Sequence, residues 1–320
     1  MPERRIMGLK RPVFIGLLAA VLGLSVISIL AGALGRAFLG DIGLPDWLIV
    51  DSPHPELPAE EVFSIGGFSI TNTMMTAWIT TLVLVGIFWA ATRRIRLVPG
   101  RLQMACESIL GWVYNLCRDA VGEKNGRRFF PLVVTIFLFV IVNAWTNLLP
   151  GYGAILITNG HGEEVHLLRG ANTDINIPLA LALVSFAAVG YWGISSLGLG
   201  GYFKTYFNFG PLFSSIKKIF TGKIGQGISG LFNAFITIFI GILEFFLMFM
   251  RILSFTFRLF GNMTGGEILL LMITFLVPFV FGIVFYGLEM LVGFVQALIF
   301  AGLTLSFAAI AVTSHSEEAH

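Results

Sequence analysis

The stretch that decides the fold runs from Ser229 to Met272: SGLFNAFITIFIGILEFFLMFMRILSFTFRLFGNMTGGEILLLM. It is 44 residues long, apolar throughout and free of proline. As one helix rising 1.5 Å per residue it is about 66 Å long, roughly twice the ~30 Å hydrocarbon thickness of a bilayer. It is therefore expected to lie steeply inclined in the membrane rather than to cross it upright. A last helix, Phe279–Val312, returns and completes a hairpin over 229–312.

This region of 84 residues holds five charges: Glu244, Arg251, Arg258, Glu267 and Glu289. Each costs about 2.5–3.5 kcal/mol at the centre of a membrane helix, so each needs a partner or a wet path. Glu244, Arg251 and Arg258 are spaced by seven. Seven residues fall about 20° short of two helical turns, which makes the three one stripe. Asn262, four beyond Arg258, continues it, whereas Glu267, nine beyond Arg258, falls on the opposite face. On the last helix Glu289 and Gln296 share a face. Carboxylates thus flank an arginine at different depths, an arrangement suited to two aqueous half-paths that do not join. Burial lets a carboxylate carry a proton, and arginine, never deprotonated in proteins, blocks proton hopping. Gly261, Gly265 and Gly266 leave the helix surface bare near Arg258. A second helix with its own carboxylate can approach such a surface closely.

The rest of the chain agrees with this class. Only 12% of the 320 residues are charged and 56% are hydrophobic, against roughly 25% charged in a soluble domain. That excludes a soluble globule, a disordered chain and a nucleic-acid binder. The expected fold is an all-α polytopic membrane protein with five or six membrane helices. Further spans are Pro12–Gly35, Ile70–Thr92, Phe129–Pro150 and Ile175–Phe203. Basic loops (Arg4, Arg5, Lys10 and Arg11; Arg93 to Arg128; Lys204 to Lys223) alternate with Asp41–Phe68, which has no Lys or Arg, and Gly151–Asp174, which has only Arg169. The positive-inside rule then puts the N- and C-termini inside. Residues 1–40 form an N-terminal membrane segment, either an anchor or a signal peptide with Ala31-x-Ala33 as cleavage site; 41–320 form the main membrane domain. Arg101–Val121 has helical spacing of Leu102, Ala105, Cys106, Ile109, Trp112, Val113, Leu116, Cys117 and Ala120. It reads as an amphipathic helix on the inner surface or against another subunit.

Other signals carry no function. Gly225-Gln-Gly227-Ile-Ser-Gly230 matches a dinucleotide fingerprint but lacks the strand that must precede it. Asn262-Met-Thr is a glycosylation sequon placed inside the membrane. His54, His161, His166, His315 and His320 lie in loops or the tail and read as solvated. Cys106 and Cys117 read as small packed apolar residues. The segment from Gly198 to Gly227 reads as a long loop without an assigned role.

With these residues in view, Arg258-Leu-Phe-Gly-Asn262-Met-Thr-Gly-Gly-Glu267 closely resembles the signature of subunit a of the F-type rotary ATP synthase. The resemblance extends over most of the chain from about residue 60. It includes Val98-Pro-Gly-Arg-Leu-Gln103, Asn147-Leu-Leu-Pro150, Asn172-Thr-Asp174-Ile-Asn176, Gln296-Ala-Leu-Ile-Phe300 and the tail Ser316-Glu-Glu318. It implies a non-catalytic stator subunit that offers two offset proton half-channels to a rotating c-ring. Arg258 would be the essential arginine facing the ring. Glu267 and Glu289, with Asn262 and Gln296, would line the outer half-channel and Glu244 the inner one. Arg251, Asp174 and Asn147 would be accessory. Asn147 stands where some members have aspartate, and Glu289 where some have histidine. The implied partners are the c-ring, the peripheral-stalk b subunits and the bilayer, in a bacterial inner membrane with a cytoplasmic C-terminus. No cofactor is implied; the carried ion is H⁺, with Na⁺ open. The alternative reading is a self-contained ion-coupled secondary transporter, for which no internal repeat speaks.

Overall fold

The computed structural model describes residues 5–6, 9–40, 45, 50, 52–53, 58–149, 151–153, 155–159, 162, 164–221 and 224–313. Arg4, His54, Pro150, His161, Lys223 and the tail with His315, Ser316, Glu317, Glu318 and His320 lie outside the described residues. Among the described residues there are eight helices: α1 (Arg11–Ala31), α2 (Ala33–Leu39), α3 (Asn72–Thr92), α4 (Arg101–Asn147), α5 (Asn176–Tyr206), α6 (Gly210–Phe220), α7 (Ile224–Leu276) and α8 (Val280–Thr313). Six of them (α1, α3, α4, α5, α7 and α8) contain stretches long and apolar enough to cross a membrane. A short 3-10 helix at Ala171–Thr173 and three short antiparallel ladders complete the list: β1 (Arg5–Ile6) with β2 (Leu9–Lys10), β3 (Glu61–Ile65) with β4 (Phe68–Thr71), and β5 (Leu156–Thr158) with β6 (Glu164–His166). The protein is thus an all-α polytopic membrane protein, as its composition requires.

α4 contains both the amphipathic helix and the span that follow one another in sequence. They meet at Gly122, whose backbone (φ 79°, ψ 168°) is left-handed. Side chains other than glycine pay a steric penalty there of roughly 1–2 kcal/mol, so the bend is written into the sequence. Gly126 then lets the second arm close on the first: a Cβ there would stand 3.0 Å from the Arg118 Cα. The amphipathic face is divided. Cys106, Val113 and Cys117 are buried in the chain, while Leu102, Ile109 and Trp112 stay exposed.

The long C-terminal helix is one piece. α7 spans 53 residues, about 80 Å at 1.5 Å per residue, with no left-handed residue inside it. The turn into α8 passes through Pro278 to Phe279, which sits at φ 65°. The region 198–227 is not a plain loop, and the expectation is corrected here. α5 bends at Gly198 (φ 74°) and continues to Tyr206, and α6 follows. Apolar residues at Leu212, Phe213, Ile216, Ile219 and Phe220 give this stretch a helical period that its many glycines and lysines masked.

The chain forms two compact units. The first comprises Met1–Thr76, Ala144–Thr173 and Gly261–Val295; the second comprises Ala77–Asn143, Asp174–Phe260 and Gln296–His320. In the first, the α1–α2 junction at Gly32 rests on the Leu276 carbonyl with no room for a Cβ. In the second, the core joins α4, α5, α7 and α8. Phe129 packs on Trp192 with ring centroids 4.4 Å apart, and Phe255 on Phe300 at 4.8 Å. Ser185 and Thr304 share a buried hydrogen bond of 2.8 Å.

Candidate functional site

In the first unit, α7 brings Glu267 to Arg169, in the segment between β6 and α5. The arginine Nη2 donates to Glu267 Oε2 and its Nε faces Oε1, each at 3.5 Å. Arg169 is 8% exposed and its Nη1 also donates to the Pro58 carbonyl at 2.9 Å. The guanidinium thus donates one hydrogen bond to Glu267 and one to Pro58, while its Nε only faces the carboxylate and has no hydrogen-bond partner. Nearby in the same unit, Glu60 Oε2 accepts from Asn72 Nδ2 at 3.1 Å and from the His166 amide at 2.8 Å. Asn72 Nδ2 also donates to the His166 carbonyl at 3.1 Å. The His166 side chain itself is exposed, in keeping with a solvated role. Tyr152, outside the spans, donates to Thr76 at 3.1 Å, and burial pushes its phenol above the usual value.

Glu289 on α8 is buried, with its carboxyl against Gly266 of α7; a Cβ on Gly266 would overlap it. This corrects the grouping of Gly266 with Gly261 and Gly265. Those two are open on the surface, whereas Gly266 faces inward and is bare to admit the Glu289 carboxyl. α8 is held here by α4: Gly293 abuts Ala144, and Trp145 Nε1 donates to the Met290 carbonyl at 3.1 Å. Asn147 packs its amide on Gly170, where a Cβ would lie 2.8 Å from the Asn147 Cγ. Asn262 is exposed.

The second unit holds a different arrangement. Glu244 and Arg251 of α7 open into one cavity with about 60 Å³ of room for waters, shared with Tyr202 and Tyr206 of α5 and Phe307 of α8. The Tyr206 hydroxyl donates to Tyr202 at 3.5 Å, and the Arg251 guanidinium lies 4.4 Å above the Phe307 ring. A carboxylate, a guanidinium and two hydroxyls around a cavity of this size give waters the polar partners they need. α5 is seated on α7 at Gly241, which leaves no room for a Cβ beside the Tyr206 carbonyl.

The stripe read from the spacing of seven splits. Of the four charged residues of α7, Glu244, Arg251 and Glu267 are half-buried, and Arg258 alone is exposed. Its guanidinium donates to Ser254 at 3.4 Å. The drift of about 20° per seven residues keeps Arg258 within about 40° of Glu244, so the split follows what packs beside each: Tyr202, Tyr206 and Phe307 line the cavity at Glu244 and Arg251, whereas Arg258 is exposed. Gln296 on α8 is buried. Asp174 is a local cap: its Oδ1 accepts from the Asn176 amide at 3.0 Å and from Asn176 Nδ2 at 2.9 Å, at the start of α5. Sequence reading missed Arg169, Glu60, Asn72 and the tyrosine pair. The available signal for Arg169 was that it is the only Lys or Arg in the Gly151–Asp174 segment. Among the described residues no group of three His, Cys, Asp or Glu is placed to hold a metal ion.

Comparison with known proteins agrees with this architecture. The family described as ATP synthase A chain matches residues 74–309. ATP synthase subunit a of Gloeobacter violaceus is 32% identical over 270 residues, which cover 82% of this chain and 95% of that protein. The matched span takes in all five charges of α7 and α8. The chain belongs to the ATP synthase A chain family and is a multi-pass, non-catalytic subunit of the ATP synthase membrane sector.

Proposed function

We propose that this subunit provides two separate proton half-channels to a rotating c-ring and so couples proton flow to ATP synthesis. The observation that carries the reading is the outward-facing Arg258 on a helix whose other charges turn inward. A guanidinium exposed on a membrane helix costs several kcal/mol unless something meets it. Gly261 and Gly265 leave open space beside it, so a second helix can come close. A ring carboxylate is the fitting counter-charge.

On this reading a proton enters from outside past Glu267 and Glu289, with Asn262 and Gln296 near Arg258. It neutralises a ring carboxylate, which can then travel through lipid. The ring turns nearly a full revolution. Arg258 favours ionisation when the site returns, and the proton leaves through the water-sized space beside Glu244, with Arg251 tuning the field there. One charge crossing 100 mV yields about 2.3 kcal/mol, so several protons serve each ATP. Asn147 and Asp174 hold the backbone around the entrance and the start of α5. H⁺ is the carried ion here; Na⁺ would need ligands that the ring itself supplies. The same reading places the complex, with its c-ring and peripheral-stalk b subunits, in a bacterial inner membrane with the C-terminus in the cytoplasm. Membership of the family favours a component of this complex over a self-contained transporter.

The test is Arg258→Ala in inverted vesicles. ATP-driven proton pumping is expected to vanish while ATP hydrolysis by the detached catalytic head is unchanged. Normal pumping would overturn the proposal.

A further inference from the structure

α6 has no part in the pathway just described, and its faces divide into three. With about 100° per residue, Ser215 and Ile219 fall together and pack on the start of α7. Gly227 and Gly230 meet them there: a Cβ on Gly227 would collide with Ile219, and one on Gly230 with Ser215. The glycines that mimic a dinucleotide fingerprint thus make a smooth seat for a helix. A second sector carries Phe213, Ile216 and Phe220 at spacings of three and four. They are 70%, 38% and 87% exposed, with no described residue covering them. The third sector carries Ser214, Lys217, Lys218 and Thr221, all exposed.

Two facts fix the setting. α6 joins α5 and α7, both long and apolar enough to span a membrane, so it lies at the membrane surface. Its surroundings are also of one sign: Lys204, Lys217, Lys218 and Lys223 fall in a stretch with no acid anywhere between Asp174 and Glu244. An aromatic edge next to a lysine face is the pattern of a helix lying in the interface plane. Such lysines are drawn to anionic headgroups by about 1 kcal/mol each, a factor of about five, and their stems reach along the apolar boundary.

We propose that α6 is an interfacial helix whose Phe213–Ile216–Phe220 edge enters the acyl layer and whose lysines bind anionic phospholipid headgroups. It pins the start of α7 to the membrane surface through the Gly227–Gly230 seat. The occupant of the exposed edge is lipid and not a second protein.

The test uses the whole ATP synthase complex in vesicles of phosphatidylcholine with and without phosphatidylglycerol. A bimane label is placed by Phe213→Cys, Phe220→Cys, Ser214→Cys or Thr221→Cys; native Cys106 and Cys117 are buried. Labels at the first two positions are expected to be quenched by brominated lipid and at the last two by aqueous iodide. Brominated phosphatidylglycerol should quench the Phe213→Cys label more than brominated phosphatidylcholine. That preference should fall about fivefold per lysine in Lys204→Gln, Lys217→Gln and Lys218→Gln combined. Shielding of Phe213→Cys and Phe220→Cys from both quenchers would mean that protein covers the edge, and iodide quenching that water does; either overturns the proposal. An unchanged lipid preference in the combined lysine variant overturns it as well. Retained ATP-driven pumping by that variant distinguishes loss of lipid contact from loss of the fold.

Discussion

The two compact units handle their charges in opposite ways. In the first, Glu267 is clamped by Arg169, and Glu60 by Asn72 and the His166 backbone. In the second, Glu244 and Arg251 face a cavity with two tyrosines, and the Arg251 guanidinium lies over the Phe307 ring. A carboxylate tied into a network must be released before it can trade a proton, whereas one in a roomy cavity trades with water. On the proposed half-channel reading, access in the first unit turns on breaking the Arg169–Glu267 contact and in the second on space.

The largest test of that contrast is Glu267→Gln. On the half-channel reading it removes a positioned proton carrier, and such groups contribute at least about a hundredfold. ATP-driven pumping in vesicles should fall by roughly that factor, with head ATPase activity untouched. Equal loss in both assays would point to misassembly.

Arg169→Met comes next. It strands Glu267 without its partner, and breaking a buried pair from one side costs about 3–5 kcal/mol. Glu267 keeps 25% side-chain exposure, so the low end is expected, read as a lower melting temperature of the detergent-solubilised complex. Adding Glu267→Gln to Arg169→Met should recover most of the stability but none of the pumping. If stability does not recover, Arg169 serves the fold through Pro58 rather than through the ion pair.

Space is probed at Gly190 on α5, which lines the second unit's cavity. A Cβ there would meet only the Tyr202 hydroxyl at 3.8 Å. Gly190→Ala should leave pumping unchanged, whereas Gly190→Leu, which fills the cavity, should slow it about tenfold, or about 1.4 kcal/mol of barrier. Equal behaviour of the two variants would remove the cavity from the path.

The smallest effect is expected at Gly266→Ala. The added methyl must displace the Glu289 carboxyl, and overpacking of this kind costs about 1–3 kcal/mol. Gly261→Ala and Gly265→Ala have open space and should leave the isolated chain's stability alone. On the proposed reading they still hinder the ring, so pumping falls without a change in melting temperature.

Much of the fold was legible because lipid imposes it. Runs such as Asn72–Thr92 and Val280–Thr313 must be helical when no water can satisfy their backbone. The bend at Gly122 between the two arms of α4 was not read from the sequence, because a glycine alone does not say which φ it takes. The charged residues of α7 and α8 stood out because a charge in an apolar run demands a reason. Their pairings did not stand out. Arg169 and Glu267 are 98 residues apart, and no periodicity links a loop base to a helix carboxylate. Gly266 looked like its neighbours Gly261 and Gly265, since one letter carries no sign of which way a helix face turns. α6 was obscured because glycines and lysines frame its short apolar pattern.

The unbroken run of α7 has a mechanical meaning. A helix yields at a proline, a bulge or an inserted water, and between Ile224 and Leu276 no residue takes a left-handed turn and no proline occurs. A sideways push applied at Arg258 by a moving neighbour therefore finds no joint to fold. It is spread as slight bending of a rod about 80 Å long, braced at Gly241 by the end of α5 and at Gly227 and Gly230 by α6. On the proposed reading, α7 meets the ring as a stiff beam, and the ring that turns against it must itself do the yielding.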